Sequence, residues 1–498
     1  MSIEMDHNEE SFSEIVIALV SVVGTDLNRF ITLIKEELEL YEFNSEVVRI
    51  SSDILNVLND PVPELSKIET INHYMTLGNK FRDFSECNSA LAYSAIAEIS
   101  KRRLKFSGDE VKPLSKQAWI IRSLKHPEEV ATLRETYGDS LYVIGIHSST
   151  ENRYEALKNQ LKKHENESIV KDIIERDADE GPDTGHGQHT RDTFHLSDFF
   201  INQDQNLDKN KADIERVFKL IFAYPFLTPT FDEYAMYMAF SASTRSADLS
   251  RQVGAVLTKD KNIISTGAND VPTANGGLYW PYLDSETHQI KDVDDGRDYK
   301  RGQDSNKIEM YNIIKDIIEK LNLEDTEDTR NLIKKTKLAD ITEYGRVVHA
   351  EMEAILSCGR SNNSTLGTTI YCTTFPGHNC AKHIIAAGVK RVVYVEPYSK
   401  SKASEFHDDS IKDKQSEEYV IFEPFVGVGP RRFLNVFSLN LGSGREIKRK
   451  NSSGIIVDWD RESAKLRTEP DVMQYIRKEE FATAYTQELL NRYNKHDS

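Results

Sequence analysis

The segment between residues 253 and 396 constrains the fold most, because its pattern predicts strand, strand, helix, strand, helix and strand in that order. Runs of apolar and β-branched residues predict the strands, at 253–257, 263–266, 368–373 and 391–396. The first two runs flank Lys259-Asp260-Lys261, which predicts a hairpin turn. Helices are predicted from His349 to about Leu356 and from Asn379 to Ala387. This order indicates a sheet covered by helices, with both helix N-termini at one edge.

Chemically reactive side chains stand at the starts of these two helices. His349 and Glu351 open the first, and Cys380 lies at the start of the second, after Pro376. The pattern H-x-E followed by P-C-x-x-C is the signature of zinc nucleobase deaminases, in which one His and two Cys hold the metal. Every position of the pattern is matched except the first cysteine, where this sequence has Gly377.

The pattern predicts a hydrolytic deaminase site with Zn²⁺ as its cofactor. Zinc held by three protein ligands activates a water molecule at neutral pH. Glu351 is placed to carry protons without binding the metal, and His349 and Cys380 are the matching ligands. Because Gly377 has no donor atom, reduced zinc occupancy is expected. His378 is expected to point away from the metal, and Cys372 to be a small buried apolar residue.

Composition narrows the range of partners and compartments. The net charge of −18, from 63 basic and 81 acidic residues, disfavours broad binding to nucleic-acid backbones. Four scattered cysteines suit a reducing compartment. No apolar run approaches the roughly 20 residues that span a bilayer, and the polar, acidic residues 1–12 do not resemble a secretory signal. A cytoplasmic protein without membrane partners is therefore expected.

The N-terminal part predicts a βαβ unit of a parallel sheet. Strands are predicted at 15–23 and 47–50, with a helix between them up to Leu40, and a later strand at 141–146. A phosphate-binding loop reads G-x-x-x-x-G-K-[ST], and residues 19–26 keep only its second glycine, Gly24. Thr25 replaces the lysine and Asp26 the hydroxyl residue, so ATP hydrolysis is not expected.

Two further clusters in this part have a functional and a simpler interpretation. Four cations could bind a nucleotide or an RNA, or could be helix-surface charges: Arg82, Arg122, Lys125 and Arg153. Three histidines of a polar segment could bind a second metal, but no nearby cysteine supports that site: His186, His189 and His195.

Four segments of the chain resemble deoxycytidylate deaminases: 245–256, 266–272, 349–351 and 375–383. With the βαβ unit in front, the whole chain resembles the bacterial two-domain dCTP/dCMP deaminases of anti-phage defence. The resemblance implies an α/β protein with a P-loop-kinase-like domain at 1–190, a connecting segment at 191–224 and a cytidine-deaminase-like α/β/α domain at 225–498. The last domain is expected to carry an insertion at 285–340 and a C-terminal extension.

The same resemblance implies roles for individual residues. His349 and Cys380 match zinc ligands, and Glu351 matches the proton carrier. Four other residues match substrate contacts: Asn269 for the deoxyribose or phosphate region, the Ala350 backbone for the pyrimidine, and Arg245 and Arg251 for the triphosphate. Surface ion pairs are an equally weighted interpretation of the two arginines.

Two functions from different classes follow from these patterns. One is deamination of dCTP or dCMP to dUTP or dUMP, which depletes cytosine deoxynucleotides during infection, by a homo-oligomer that a regulatory non-coding RNA restrains. The alternative is a catalytically silent regulatory protein that binds nucleotide or RNA on a deaminase fold. Gly377 is the feature that separates these two functions.

Overall fold

The computed structural model describes residues 13–58, 65–108, 112–162, 166–180, 186–336, 338, 343–396, 402–413, 418–442, 444–468 and 472–496. They divide into two compact units. The first unit comprises the described residues of 1–233, 396–398 and 424–498, and the second those of 234–395 and 399–423. Within the described ranges, every helix is too short or too polar to cross a membrane.

The strands are β1 (Glu14–Ser21), β2 (Asn44–Arg49), β3 (Gln117–Leu124), β4 (Leu141–His147), β5 (Phe199–Asn202), β6 (Gly254–Lys259), β7 (Asn262–Ala268), β8 (Tyr282–Leu283), β9 (Ile290–Lys291), β10 (Thr369–Cys372), β11 (Arg391–Tyr394), β12 (Ile411–Lys412), β13 (Val420–Pro424) and β14 (Gly427–Val428).

The α-helices are α1 (Leu27–Glu39), α2 (Lys67–Ser85), α3 (Ala90–Ser107), α4 (Pro127–Tyr137), α5 (Thr150–Lys158), α6 (Ser168–Ala178), α7 (Thr190–Phe194), α8 (Leu207–Ile221), α9 (Phe231–Ser243), α10 (Asp298–Arg301), α11 (Ser305–Lys320), α12 (Glu327–Lys334), α13 (Ala350–Arg360), α14 (His378–Ala386), α15 (Ala403–Phe406), α16 (Phe433–Phe437) and α17 (Val472–His496).

The first unit is built on a sheet in the order β14-β5-β4-β1-β3-β2. Strand β1 pairs in parallel with β3 on one side and β4 on the other, and all eight of its residues are buried. A strand covered on both faces needs the continuous apolar run that its sequence shows. The predicted parallel arrangement of β1, α1 and β2 is present, with β3 inserted between the two strands.

The predicted domain boundaries differ from the observed units. Residues 191–224 were expected to connect two domains, but they contain β5, which pairs with β4, and helix α8. The predicted C-terminal extension also returns to the first unit, because β14 pairs with β5. Helix α17 is tied there by a buried network in which Arg103 donates to the carboxylates of Glu14 and Glu479.

The second unit has a sheet in the order β12-β13-β11-β10-β6-β7. Along the chain, β6, β7, α13, β10, α14 and β11 follow the predicted order of strands and helices. The predicted hairpin is confirmed: Lys259 pairs with Asn262, and the two turn residues Asp260 and Lys261 have φ of 50° and 59°. Positive φ at both positions is the type I′ geometry that matches strand twist. The predicted insertion, 285–340, contains β9 and helices α10 to α12.

Helix α13 lies unusually close to β7. A Cβ built on Gly267 would stand 2.1 Å from the carbonyl oxygen of Ala350 and 2.5 Å from the amide nitrogen of Ala354. Any side chain at this position would therefore push the helix off the strand. Glycine at 267 therefore sets the position of the first turn of α13 and of His349, the residue before it.

We expect Gly267→Ala to lower the melting temperature of the full chain, because overpacking of this kind costs about 1–3 kcal/mol or more. The matched control is Gly359→Ala within α13, where an added Cβ meets no atom within 4 Å. Alanine should raise helix stability there by up to about 1 kcal/mol. Differential scanning calorimetry compares the two variants, and equal melting would contradict the close contact between α13 and β7.

Candidate active site

The start of α13 is held by main-chain pairing on the preceding residue. The amide of Val348 donates to the carbonyl of Asp270 at 3.0 Å, and the amide of Asp270 donates back to Val348 at 3.3 Å. The next residue, His349, is the N-cap of α13. Gly377 is the N-cap of α14, so Cys380 lies in the first turn of that helix. Both helices thus present their first turns to the same site.

Three predicted residues meet at this point. The Nδ1 atom of His349 is 3.2 Å from the Sγ atom of Cys380, and that sulfur is 3.6 Å from Oε2 of Glu351. A ligand atom from each of the three side chains lies within 4.8 Å of the other two. Glu351 and Cys380 are buried, whereas His349 is exposed. The imidazole of His349 therefore lies between solvent and the buried side chains of Glu351 and Cys380.

The state of the Cys380 thiol is set by burial and by its neighbour. Burial and the adjacent Glu351 carboxylate raise the pKa of this thiol far above its usual value. A helix N-terminus stabilises a thiolate, but burial has the larger effect on this side chain. A thiol in this environment becomes a ligand when a metal ion displaces its proton.

Gly377 is not required by the backbone or by packing. Its φ of −62° and ψ of 159° suit any residue, and a Cβ added there would meet no atom within 4 Å. His378 is exposed, and its ring contacts that of Phe406 at 6.0 Å between centroids. Cys372 is fully buried at the end of β10, and burial raises the pKa of its thiol. The residues present therefore do not reproduce the set of one His and two Cys that the pattern requires.

Asn269 is held in place by the main chain at both ends of its amide. Its Oδ1 accepts from the Val253 amide at 2.7 Å, and its Nδ2 donates to the Arg251 carbonyl at 2.8 Å. These bonds fix the loop before β6 to the end of β7. Asn269 thus shapes the edge of the site through the loop that it holds, which the sequence did not reveal.

Of the two predicted arginines, Arg245 is the one with a defined position. Its guanidinium lies 3.7 Å from the centroid of the Trp280 ring, and it donates to the Tyr279 carbonyl at 3.1 Å. Burial lowers the pKa of Arg245, which remains charged at neutral pH. Arg251 is exposed. Sequence reasoning missed Trp280, an exposed aromatic residue whose place opposite Arg245 only the fold reveals.

Several other predicted site residues make contacts within the fold. The Ala350 carbonyl faces Gly267, and the Ala350 N–H lies at the start of α13. In the first unit, Gly24 has a φ of +90°, and a Cβ there would lie 3.0 Å from that of Arg153. Asp26 caps α1 by accepting from the Arg29 amide at 3.2 Å. Thr25 precedes it in the same turn.

The carboxylate of Asp177 binds both the loop that was compared with a phosphate site and a nearby cation. Oδ2 of Asp177 accepts from the Val23 amide at 2.8 Å, and its Oδ1 accepts from Nζ of Lys125 at 2.7 Å. Arg82 likewise forms a buried ion pair with Glu129 at 2.7 Å. Two of the four candidate cations are therefore paired within the fold.

The candidate histidine cluster forms no metal site in the described part of the chain. His189 contacts Asp179 at 3.2 Å, and Nδ1 of His186 lies 2.6 Å from Oδ1 of Asn88. Across the described ranges, one group of three or more His, Cys, Asp or Glu side chains is close enough to share an ion. It consists of His349, Glu351 and Cys380.

Comparison with known proteins decides the family. Residues 229–396 match the model of the cytidine and deoxycytidylate deaminase zinc-binding region. Deoxycytidylate deaminase of Enterobacteria phage T4 is 32% identical over 169 residues, which cover 34% of this chain and 78% of the phage protein. The chain belongs to the deoxycytidylate deaminase family.

A human protein and one solved structure are also similar to parts of this chain. Human deoxycytidylate deaminase is 25% identical over 203 residues, which cover 41% of this chain and 79% of the human protein. The dCMP deaminase of cyanophage S-TIM5 has 20% identity and a TM-score of 0.22, over 40% of this chain and 100% of that one. The deaminase match ends at residue 396, so the first unit, apart from a few residues near its boundaries, lies outside it.

We expect no ATP hydrolysis by the full chain, because Thr25 offers no cation and Asp177 already binds the Val23 amide and the Lys125 ammonium. Phosphate release from Mg·ATP should equal the blank. Saturable release that is lost on Lys125→Ala would show that the loop takes part in catalysis and would contradict this expectation.

Proposed function

We propose that the second unit acts on free cytosine deoxynucleotides, dCMP or dCTP, and that Gly377 impairs their hydrolytic deamination to dUMP or dUTP in this chain. The convergence of His349, Glu351 and Cys380 on one point carries the proposal. The names of the phage and human relatives, deoxycytidylate deaminase, support the substrate class. The net charge of −18 favours a free nucleotide over a polynucleotide.

The residues around the site have complementary tasks in this proposal. Glu351, buried in the first turn of α13, moves protons to the ring and to the leaving amine. The N–H of Ala350 orients the base. Arg245, fixed on the face of Trp280, offers a charged group to the phosphate, and Asn269 maintains the loop beside it.

The wider biological role is also proposed. The first unit is a P-loop-kinase-like domain with a degenerate phosphate loop, and its parallel sheet with Gly24 after β1 supports this assignment. Nucleotide depletion in anti-phage defence, restraint by a non-coding RNA, a homo-oligomeric state and a cytoplasmic location follow from the resemblance to two-domain bacterial deaminases.

A second candidate is a catalytically silent protein that binds a nucleotide or an RNA. The glycine at 377 favours this candidate. Neither packing nor backbone conformation requires a glycine there, so the substitution removes a zinc ligand without a structural purpose. In that case the chain binds dCMP or dCTP without turnover.

We expect Gly377→Cys to raise deamination of dCMP or dCTP by at least about 100-fold, because it supplies the missing zinc ligand. Gly377→Ser is the matched control, since it fills the same space without a thiolate and should remain at the native level. Chromatography of the uracil nucleotide measures both variants. Gly377→Cys with a full complement of zinc and no deamination of either nucleotide would contradict the proposed function.

A further inference from the structure

We infer that in this chain Glu351 is itself a metal ligand. With His349 and Cys380 it forms a mixed imidazole, thiolate and carboxylate site, which retains a zinc ion and loses the group that moves protons. The inference rests on the proposed function, because it concerns the same site. It changes what the site does: the chain becomes a zinc-binding protein with little or no deaminase activity.

The distances between the three side chains suit one shared ion. Zinc bonds to N, O and S donors are about 2.0–2.3 Å long, so a tetrahedral ion places its ligand atoms roughly 3.4–3.6 Å apart. The separation between His349 Nδ1 and Cys380 Sγ is 3.2 Å, and that between Cys380 Sγ and Glu351 Oε2 is 3.6 Å. One ligand atom of each side chain lies within 4.8 Å of those of the other two, which is close enough for all three to share an ion.

A cation bound at the site would compensate the buried negative charge of Glu351. Two residues farther along α13, the buried Glu353 forms an ion pair with Arg360. Glu351 is equally buried, but in the described part of the chain its carboxylate is hydrogen-bonded to Cys380 and forms no ion pair with a lysine or arginine. A buried carboxylate without a cation is costly. A divalent metal ion satisfies Glu351 and Cys380 together.

Donor chemistry points the same way. One neutral imidazole and two thiolates carry a charge of about −2, and one imidazole, one thiolate and one carboxylate carry the same charge. With Glu351 bound in place of the lost thiolate, the set of three ligands keeps the charge of about −2. Once its oxygen is bound to a metal, the carboxylate is no longer free to accept and deliver protons.

The test measures Zn²⁺ affinity by chelator competition in two backgrounds of the full chain, Gly377 and Gly377→Cys. In the Gly377 background we expect Glu351→Gln to weaken zinc binding by at least about 100-fold. In the Gly377→Cys background the same substitution should change affinity by less than about fivefold, while it abolishes deamination. Glu353→Gln is the matched control and should change affinity by less than about fivefold in both backgrounds.

Circular dichroism confirms that each variant is folded, and Co²⁺ absorption reports the ligands independently of activity. The native chain should show weaker thiolate-to-cobalt charge transfer than Gly377→Cys, because it has one sulfur ligand. Zinc affinity that Glu351→Gln leaves unchanged in the Gly377 background would overturn the inference. That result is distinct from failure of the proposed function, which appears as zinc-loaded Gly377→Cys without deamination.

Discussion

Helix α13 lies directly on β7, and the site depends on this contact. Because Gly267 has no side chain, the helix backbone can lie against the strand, and the bridge between Asp270 and Val348 fixes the residue before the N-cap. His349 is therefore held by backbone on both sides. Because β10 leads into α14 at the same edge of the sheet, Cys380 reaches the imidazole within 3.2 Å.

The site lacks one zinc ligand, although the fold around it is complete. Backbone and packing at Gly377 would accept a cysteine, so the fold does not compensate for the missing ligand with new packing. Glu351 and Cys380 are buried and adjacent, and burial together with the Glu351 carboxylate raises the pKa of the Cys380 thiol. The same closeness that suits proton transfer also brings the Glu351 carboxylate within ligand distance of a shared ion.

Local patterns predicted the second unit well. The hairpin at Asp260 and Lys261, the two helix starts and the order of strands all follow from turn chemistry and periodicity, which depend on neighbouring residues. The return of the C-terminal segment to the first unit could not be predicted in this way. It depends on a two-residue strand and on buried charges, Arg103 with Glu14 and Glu479, that are far apart in sequence.

The same limit applies within the site. Residue types at H-x-E and P-x-x-x-C identified the groups that meet, because their spacing is tied to helix starts. The stacking of Arg245 on Trp280 and the main-chain bonds of Asn269 depend on how loops fold over the sheet edge, which no local pattern encodes. The raised pKa of the Cys380 thiol likewise results from burial and from the neighbouring Glu351, which only the folded chain brings about.

X-ray absorption at the zinc edge of the full, zinc-loaded chain would show which atoms bind the metal, because it counts sulfur ligands without reference to activity. With His349, Cys380 and Glu351 as ligands, we expect one sulfur at about 2.3 Å and the remaining ligands, nitrogen or oxygen, at about 2.0–2.2 Å. Two sulfur ligands per zinc in the chain with Gly377 would mean that a second thiol, such as Cys372, completes the site in place of the Glu351 carboxylate.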